Sequence, residues 1–279
     1  MVRERDLLRW LAARAPVGDD AAVLDCGPWG TLLVATDSVI DGIHLRWGAE
    51  GPAAFGYKAV ARSVSDIAAM AGEPLWALLA VCLPRGVSET DAHAVYRGAE
   101  GVGCPLVGGD TAFGPTAWAV ATVLGRAHPR GPVRRSGARD GDWIVVTGAL
   151  GGAVRSGRHA TFTPRVAEAR RLHEAFEVSA MIDISDGLST DLRRLLEASG
   201  VGCRVEADAI PVHEGADLAA ALNEGEDHEL LLTVRPDHRV EGFLPGLRRI
   251  GVITGSEALL VRDRGRTEPL RPGGWEHGD

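Results

Sequence analysis

Apolar residues recur along much of the chain at the spacing of amphipathic helices. In the segment 52–71, for example, Val60, Val64 and Ile67 follow one another at intervals of four and three residues. This spacing places them on one helical face. The same pattern predicts helices over residues 3–14, 52–71, 88–101, 164–176, 188–199 and 214–223.

Between these segments lie short runs rich in Val, Leu, Ile and Ala, most of them bounded by Gly, Pro or Asp. Runs of this kind are typical of β-strands. They predict strands within residues 21–25, 31–39, 75–84, 105–111, 117–127, 142–152, 180–187, 203–211 and 228–234. Because helices and strands alternate, the sequence favours an α/β or α+β fold.

The length of 279 residues fits one large domain or two of ordinary size. The segment 128–142 is rich in Pro, Gly and Arg, which are typical of a connection between domains. We therefore predict an N-terminal domain over residues 1–132 and a C-terminal domain over residues 133–279.

Charge and hydropathy narrow the classes of partner. The net charge is −8 and no basic tract is present, so we expect no nucleic-acid partner. No run of about 18 uncharged apolar residues occurs, so we expect no membrane partner. The first residues are amphipathic and charged rather than typical of a signal peptide, which favours a cytoplasmic protein. The four cysteines form no CxxC pair and are interpreted as structural thiols.

Seven aspartates share one context, near a strand end or in a helix, beside small or polar residues. They are Asp19, Asp20, Asp37, Asp66, Asp110, Asp183 and Asp186. A single aspartate in such a turn is usually a helix cap or an Asx turn. Seven brought together would repel one another unless cations neutralise them. Oxygen ligands favour Mg²⁺, which commonly bridges substrate phosphates, so the pattern indicates phosphoryl transfer. The chain has no GxxxxGK[ST] segment and no kinase HRD or DFG motif.

Seven motifs in order resemble the thiamine-monophosphate kinase family, in the superfamily of aminoimidazole ribonucleotide synthetase. They are GDDAAVL, TDSVIDGIHL, YKAVARSVSDIAAMAGEP, VGGDT, RRSGARDGDWIVVTGALG, IDISDGLSTDL and EGEDHELLLTV. The resemblance implies direct transfer of phosphate from ATP to thiamine phosphate, giving thiamine diphosphate, with several Mg²⁺ ions. It also implies a two-domain α/β (α+β) fold, in which the N-terminal sheet domain forms a homodimer with ATP at the interface.

The resemblance also assigns residues to roles. It implies that Asp66 bridges several metal ions. The implied metal ligands are Asp20, Thr36, Asp37, Asp66, Asp110, Asp183 and Asp186; the implied ATP contacts are Gly109, Asp110, Arg135 and Ser185; the implied substrate contacts are His44, Glu226 and Trp275. No catalytic general base is assigned, because the attacking phosphate oxygen is already ionised near neutral pH, with a second pKa of about 6.

Other interpretations of these residues stay open. Arg135 can be a solvated linker charge, Trp275 a surface plug, and His44 or Glu226 a turn cap, while Lys58 is either structural or a charge facing phosphate. His228 stands where the family usually has tyrosine, which puts details of the substrate pocket in doubt. The alternative functions are a sibling ATP-using enzyme with another substrate and a nucleotide- and metal-binding protein without catalysis.

Overall fold

The computed structural model describes residues 4–256 and 258–275, and within these ranges the chain forms two β-sheets with helices packed against them. The helices are α1 (Glu4–Ala12), α2 (Trp47–Ala69), α3 (Glu89–Glu100), α4 (Val166–Ala175), α5 (Leu188–Ser199) and α6 (Leu218–Asn223). The strands are β1 (Ala22–Asp25), β2 (Thr31–Ile40), β3 (Glu73–Pro84), β4 (Leu106–Gly114), β5 (Trp118–Arg126), β6 (Trp143–Val146), β7 (Val178–Asp183), β8 (Gly202–Glu206), β9 (Leu230–Val234), β10 (Arg248–Thr254), β11 (Leu259–Asp263) and β12 (Arg266–Pro269).

The N-terminal sheet has the strand order β1-β2-β5-β3-β4, in which only β3 and β4 run parallel. Its residues alternate between two faces, as the pleat requires. Leu33, Leu79 and Val123 point inward to a core that includes Phe55 and Val60 of α2. The core of this half therefore lies on the face of the sheet that α2 and α3 occupy.

The C-terminal sheet has the order β12-β11-β8-β10-β6-β9-β7 and is covered on both faces. Along β6, Ile144 and Val146 face a core with α5, whereas Trp143 and Val145 face a second core with α4. Burial on both faces explains why β6 is apolar without alternation. Ala69, at the end of α2, belongs to the second core, so α2 joins the two halves of the molecule.

The predicted α/β (α+β) fold is confirmed, with local differences that have physical causes. Helix α2 begins at Trp47, before the predicted residue 52, but Gly51 has a φ of 86° and breaks the helix into two segments. Helix α6 begins at Leu218 rather than at residue 214, because the Asp217 side chain caps it at the Ala220 N–H. Strands β10 to β12 were not predicted.

The connection between the sheets runs from residue 127 to residue 142, between β5 and β6. The proposed boundary between residues 132 and 133 lies inside this connection and stays a prediction. Among the described residues, no helix is both long and apolar enough to span a bilayer.

Candidate active site

Three aspartates from distant parts of the chain converge where α2 passes the C-terminal sheet. Asp20 lies in the turn before β1, Asp66 lies on α2 and Asp183 is the last residue of β7. One carboxylate oxygen of each lies within 4.8 Å of the others. The structure thus brings together three of the predicted metal ligands, and we refer to them as the acid cluster.

The acid cluster carries charges that repel. Burial raises the pKa of Asp66 well above its usual range, and the carboxylates of Asp37, Asp183 and Asp20 raise it further. Within residues 4–256 and 258–275, no side chain donates a hydrogen bond to Asp66. Burial likewise raises the pKa of Asp20. Such a set of crowded, buried carboxylate oxygens fits a hard divalent cation such as Mg²⁺.

Three arginines form ion pairs with predicted metal ligands, one of them in the acid cluster. Arg135 donates two hydrogen bonds to the Asp20 carboxylate, at 3.1 and 2.8 Å. Arg62 does the same for Asp37, at 3.2 and 3.3 Å, and Arg194 donates to Asp186. Arg135 is therefore not a solvated linker charge, and Arg62 and Arg194 are members of the site that the sequence did not single out.

Asp183 lies beside two polar side chains from different segments of the chain. Ser65 on α2 donates to it at 2.7 Å, and the His228 ring lies 3.2 Å from the same oxygen. Burial alone would raise the pKa of Asp183, but His228, the Ser65 hydrogen bond and the Arg135 charge together outweigh burial, and the pKa falls below its usual value. Asp183 is accordingly the member of the acid cluster that stays ionised most readily.

The turn after β7 is held by an acid that the sequence analysis did not assign. Asp191 on α5 accepts the backbone N–H groups of Ser185 and Asp186, at 3.1 and 2.9 Å. Burial, with the nearby Asp186 carboxylate, raises the pKa of Asp191 to about 7. Asp191 lies in the IDISDGLSTDL motif, and this position was the sequence signal for its role. A buried aspartate in the first turn of α5 needs hydrogen-bond partners.

Two predicted metal ligands lie on the other face of the N-terminal sheet. The Thr36 hydroxyl contacts the Thr122 hydroxyl at 3.1 Å, and Asp110 on edge strand β4 is exposed opposite Ala80. The pleat therefore separates Thr36 and Asp110 from Asp37, whose side chain faces α2. Their assignment to one metal site with Asp66 stays a prediction, which the pleat does not favour within a single chain.

Gly109 has a structural explanation that involves no ligand. Its φ is 153°, and a Cβ there would lie 1.9 Å from the Leu79 carbonyl oxygen on β3. Only glycine permits this approach of β4 to β3. Contact of Gly109 with ATP likewise stays a prediction.

The three predicted substrate residues line one cleft of about 690 Å³ beside the acid cluster. His44 enters from the loop after β2, where its Nδ1 accepts the Ile40 N–H at 3.1 Å. Glu226 enters from the loop before β9, and Trp275, which is 55% exposed, forms part of the rim. Ser185 and Asp186 also line this cleft, so it adjoins the turn that follows the acid cluster.

Lys58 makes its contacts with other residues of the protein. It is fully buried and its Nζ lies 2.8 Å from Glu226 Oε2 and 2.6 Å from the His44 carbonyl oxygen. Burial lowers the pKa of Lys58, which the Glu226 carboxylate opposes. The lysine therefore ties together two residues of the cleft.

Known proteins similar to this chain share its domains and most of its length. The AIR synthase related protein family matches with its N-terminal domain at residues 18–127 and its C-terminal domain at residues 139–261. A thiamine-monophosphate kinase of Rhodopirellula baltica is 35% identical, over 94% of this chain and 91% of its own. A thiamine-monophosphate kinase of Salmonella typhimurium is 36% identical, over 78% of this chain and 75% of its own. A solved structure of AaThiL complexed with AMPPCP and TMP is 28% identical, with a TM-score of 0.87, and the match covers 98% of this chain and 95% of that chain.

Proposed function

The chain belongs to the thiamine-monophosphate kinases of the AIR synthase related family, and on this premise we propose how its site works. The protein phosphorylates thiamine phosphate with ATP and releases thiamine diphosphate and ADP. The observation that carries this function is the position of the acid cluster beside a cleft that holds His44, Glu226 and Trp275. A site for metal-bound phosphates thus adjoins a site for an organic acceptor.

Asp20, Asp66 and Asp183 would hold Mg²⁺, with Asp37 and Asp186 beside them. When bound, the metal ions neutralise phosphate oxygens of ATP and of the acceptor, which otherwise repel each other. The fit rests on the crowded carboxylate oxygens within 4.8 Å of one another.

The chain's own residues would orient the acceptor. Trp275 offers an aromatic face to a cationic thiazolium ring, and His44 lines the same cleft. Arg135 and Arg62 already pair with acids of the site, so each can exchange that partner for a phosphate oxygen. No general base is needed, because the attacking phosphate oxygen is ionised, with a second pKa of about 6.

We also propose that the protein is a homodimer formed through the outer face of the N-terminal sheet. Trp76 is 47% exposed, Leu78 40% and Trp118 38% on this face, which none of the described helices covers. Exposed apolar groups of this kind mark interaction surfaces. Sedimentation velocity tests the dimer: wild type should sediment as a dimer and Leu78→Glu as a monomer. A monomeric wild type would refute this part of the proposal. We further propose that the reaction takes place in the cytoplasm, where its co-substrate ATP is supplied.

The experiment for the function is a product assay. Purified protein is incubated with ATP, Mg²⁺ and thiamine phosphate, and ADP and thiamine diphosphate are separated by chromatography. Equal amounts of both products, absent when EDTA is added, are the expected result. ADP without thiamine diphosphate would mean a sibling enzyme with another acceptor, and no ADP at all would mean a binding protein.

A further inference from the structure

His228 lies buried between the acid cluster and the substrate cleft. Its Nδ1 is 3.2 Å from Asp183 Oδ2, and its Nε2 is 3.2 Å from Glu226 Oε2. An ionised carboxylate only accepts hydrogen bonds, so a histidine between two of them donates from both nitrogens. One side chain therefore contacts an acid of the proposed metal site and an acid of the cleft at the same time.

The surrounding structure holds the ring in one orientation. Phe162 stacks on it with ring centroids 3.8 Å apart and planes at 13°. Glu226 and His228 both have positive φ, 71° and 50°. Residues with side chains adopt such backbone angles only where their surroundings enforce them. The backbone of this loop thus fixes the direction of both side chains.

Backbone hydrogen bonds fasten the same two segments together. The Glu226 N–H donates to the Ser185 carbonyl at 2.7 Å, and the His228 N–H donates to the Ile184 carbonyl at 2.8 Å. The loop before β9 and the turn after β7 therefore form one unit, and His228 is the side chain that spans it.

Each end of this arrangement has its own anchor on α2. At the metal end, Ser65 donates to Asp183 Oδ2 at 2.7 Å. At the cleft end, Lys58 lies 2.8 Å from Glu226 Oε2. Because Glu226 already faces Lys58 and His228, its charge is compensated within the protein. Its carboxylate is better suited to hold the cleft in shape than to neutralise a cationic substrate.

We propose that His228 is a positioning residue that fixes Asp183 for metal binding and Glu226 for acceptor binding through one imidazole. This rests on the proposed function for the identity of the acceptor. Loss of both ring nitrogens should weaken the binding of both the metal ion and thiamine phosphate. Loss of either anchor on α2 should weaken mainly the binding of one of them. Substitution of a residue that positions a metal ligand typically lowers metal affinity about 10- to 100-fold.

The test compares three variants by binding, without turnover. His228→Phe keeps an aromatic ring on Phe162 but removes both donors; Ser65→Ala removes the anchor at the metal end, and Lys58→Met removes the anchor at the cleft end. Mn²⁺ binding is measured by electron paramagnetic resonance of the free ion, and thiamine phosphate binding by titration calorimetry without ATP. Circular dichroism establishes that each variant is folded at the temperature used.

The expected result is that His228→Phe binds both Mn²⁺ and thiamine phosphate about tenfold or more weakly. Ser65→Ala should weaken mainly Mn²⁺, and Lys58→Met mainly thiamine phosphate. A folded His228→Phe that keeps both affinities, or loses only one, overturns the proposal. If this variant does not fold, His228→Ala, which donates to neither acid, is judged by the same two affinities.

Failure of this inference differs from failure of the function. A wild-type protein that forms no thiamine diphosphate refutes the proposed function. An active wild type with His228 variants of normal affinity for both ligands refutes only the positioning role. His93→Gln, an exposed histidine on α3, is the matched control and should change neither affinity.

Discussion

Replacing Asp66 by asparagine should stabilise the ligand-free protein while it disables the enzyme. Asp66 lies in the acid cluster, where its oxygen is within 4.8 Å of oxygens of Asp20 and Asp183. Burial and the neighbouring carboxylates raise its pKa, which means that its negative charge is unfavourable without metal. Asparagine keeps the shape of the side chain and removes the charge.

The magnitude follows from Coulomb's law. Two unit charges about 5 Å apart repel by about 3 kcal/mol at an effective dielectric constant of about 20. We expect Asp66→Asn to remove part of this repulsion and so to add about 2 kcal/mol to the free energy of unfolding. That corresponds to a rise in Tm of roughly 4–8 °C for a chain of this size.

The assay is thermal unfolding with EDTA and with Mg²⁺, combined with turnover. In EDTA, Asp66→Asn should melt above wild type. In Mg²⁺ the wild-type Tm should rise by more than the variant's, because a ligand stabilises the state that binds it. Turnover should fall at least about 100-fold, since a ligand of the phosphate-bound metals is lost.

Asp20→Asn is the matched comparison, because it removes a charge from the same cluster and also breaks the two hydrogen bonds from Arg135. Leaving that buried guanidinium unpaired should lower the Tm in EDTA. An Asp66→Asn variant that melts at or below wild type in EDTA, or turns over at the wild-type rate, would refute the reasoning.

Three further predictions concern other parts of the molecule. Burial raises the pKa of Asp227 from 3.8 to about 6, against the Gly151 N–H and Arg158, so its charge costs stability once it ionises. In urea unfolding, the free energy of unfolding of wild type should fall by about 3 kcal/mol relative to that of Asp227→Asn between about pH 3 and pH 7, and by nothing more at higher pH. Gly225→Ala should destabilise by about 1–3 kcal/mol in the same assay, because its Cβ would lie 2.4 Å from the Ser185 carbonyl oxygen. Trp275→Ala should raise the KM for thiamine phosphate roughly 2- to 30-fold with kcat unchanged, since it loses a ring beside a cation.

Each of these has its own control. For Asp227, an unchanged stability difference across the pH range would contradict the prediction. Gly48→Ala, where an added Cβ meets nothing within 4 Å, should be near neutral, and a similar effect at both glycines would contradict the steric argument. Trp29→Ala, at a tryptophan 91% exposed, should keep the wild-type KM. An unaltered KM in Trp275→Ala would remove that ring from the acceptor site.

The sequence was sufficient for the fold class and for most secondary structure. Helix α5 occupies the predicted residues 188–199, because its apolar spacing is regular and Gly187 and Gly200 bound it. Strands β10 to β12 escaped prediction because their residues are mixed polar and apolar, and β12 is exposed throughout. Strands of this kind are stabilised by pairing with neighbours, which a single sequence does not display.

For the site, the sequence determined which residue types were available, and the motifs determined the family. Local patterns marked Asp20, Asp66 and Asp183 as acids beside turns or on a helix. Only the tertiary structure decided that these three converge, whereas Asp110 lies across the sheet, because strand pairing and pleat set the face on which each side chain lies.

The counter-charges were also decided by the tertiary structure. Arg62 and His228 carry no local signal of their roles, since an arginine on a helix and a histidine before a strand are ordinary in sequence. They became members of the site because α2 brings Arg62 to Asp37, and the loop before β9 brings His228 to Asp183. Burial makes an unpaired charge costly, and Asp37 and Asp183 are each paired with a side chain from a distant segment of the chain.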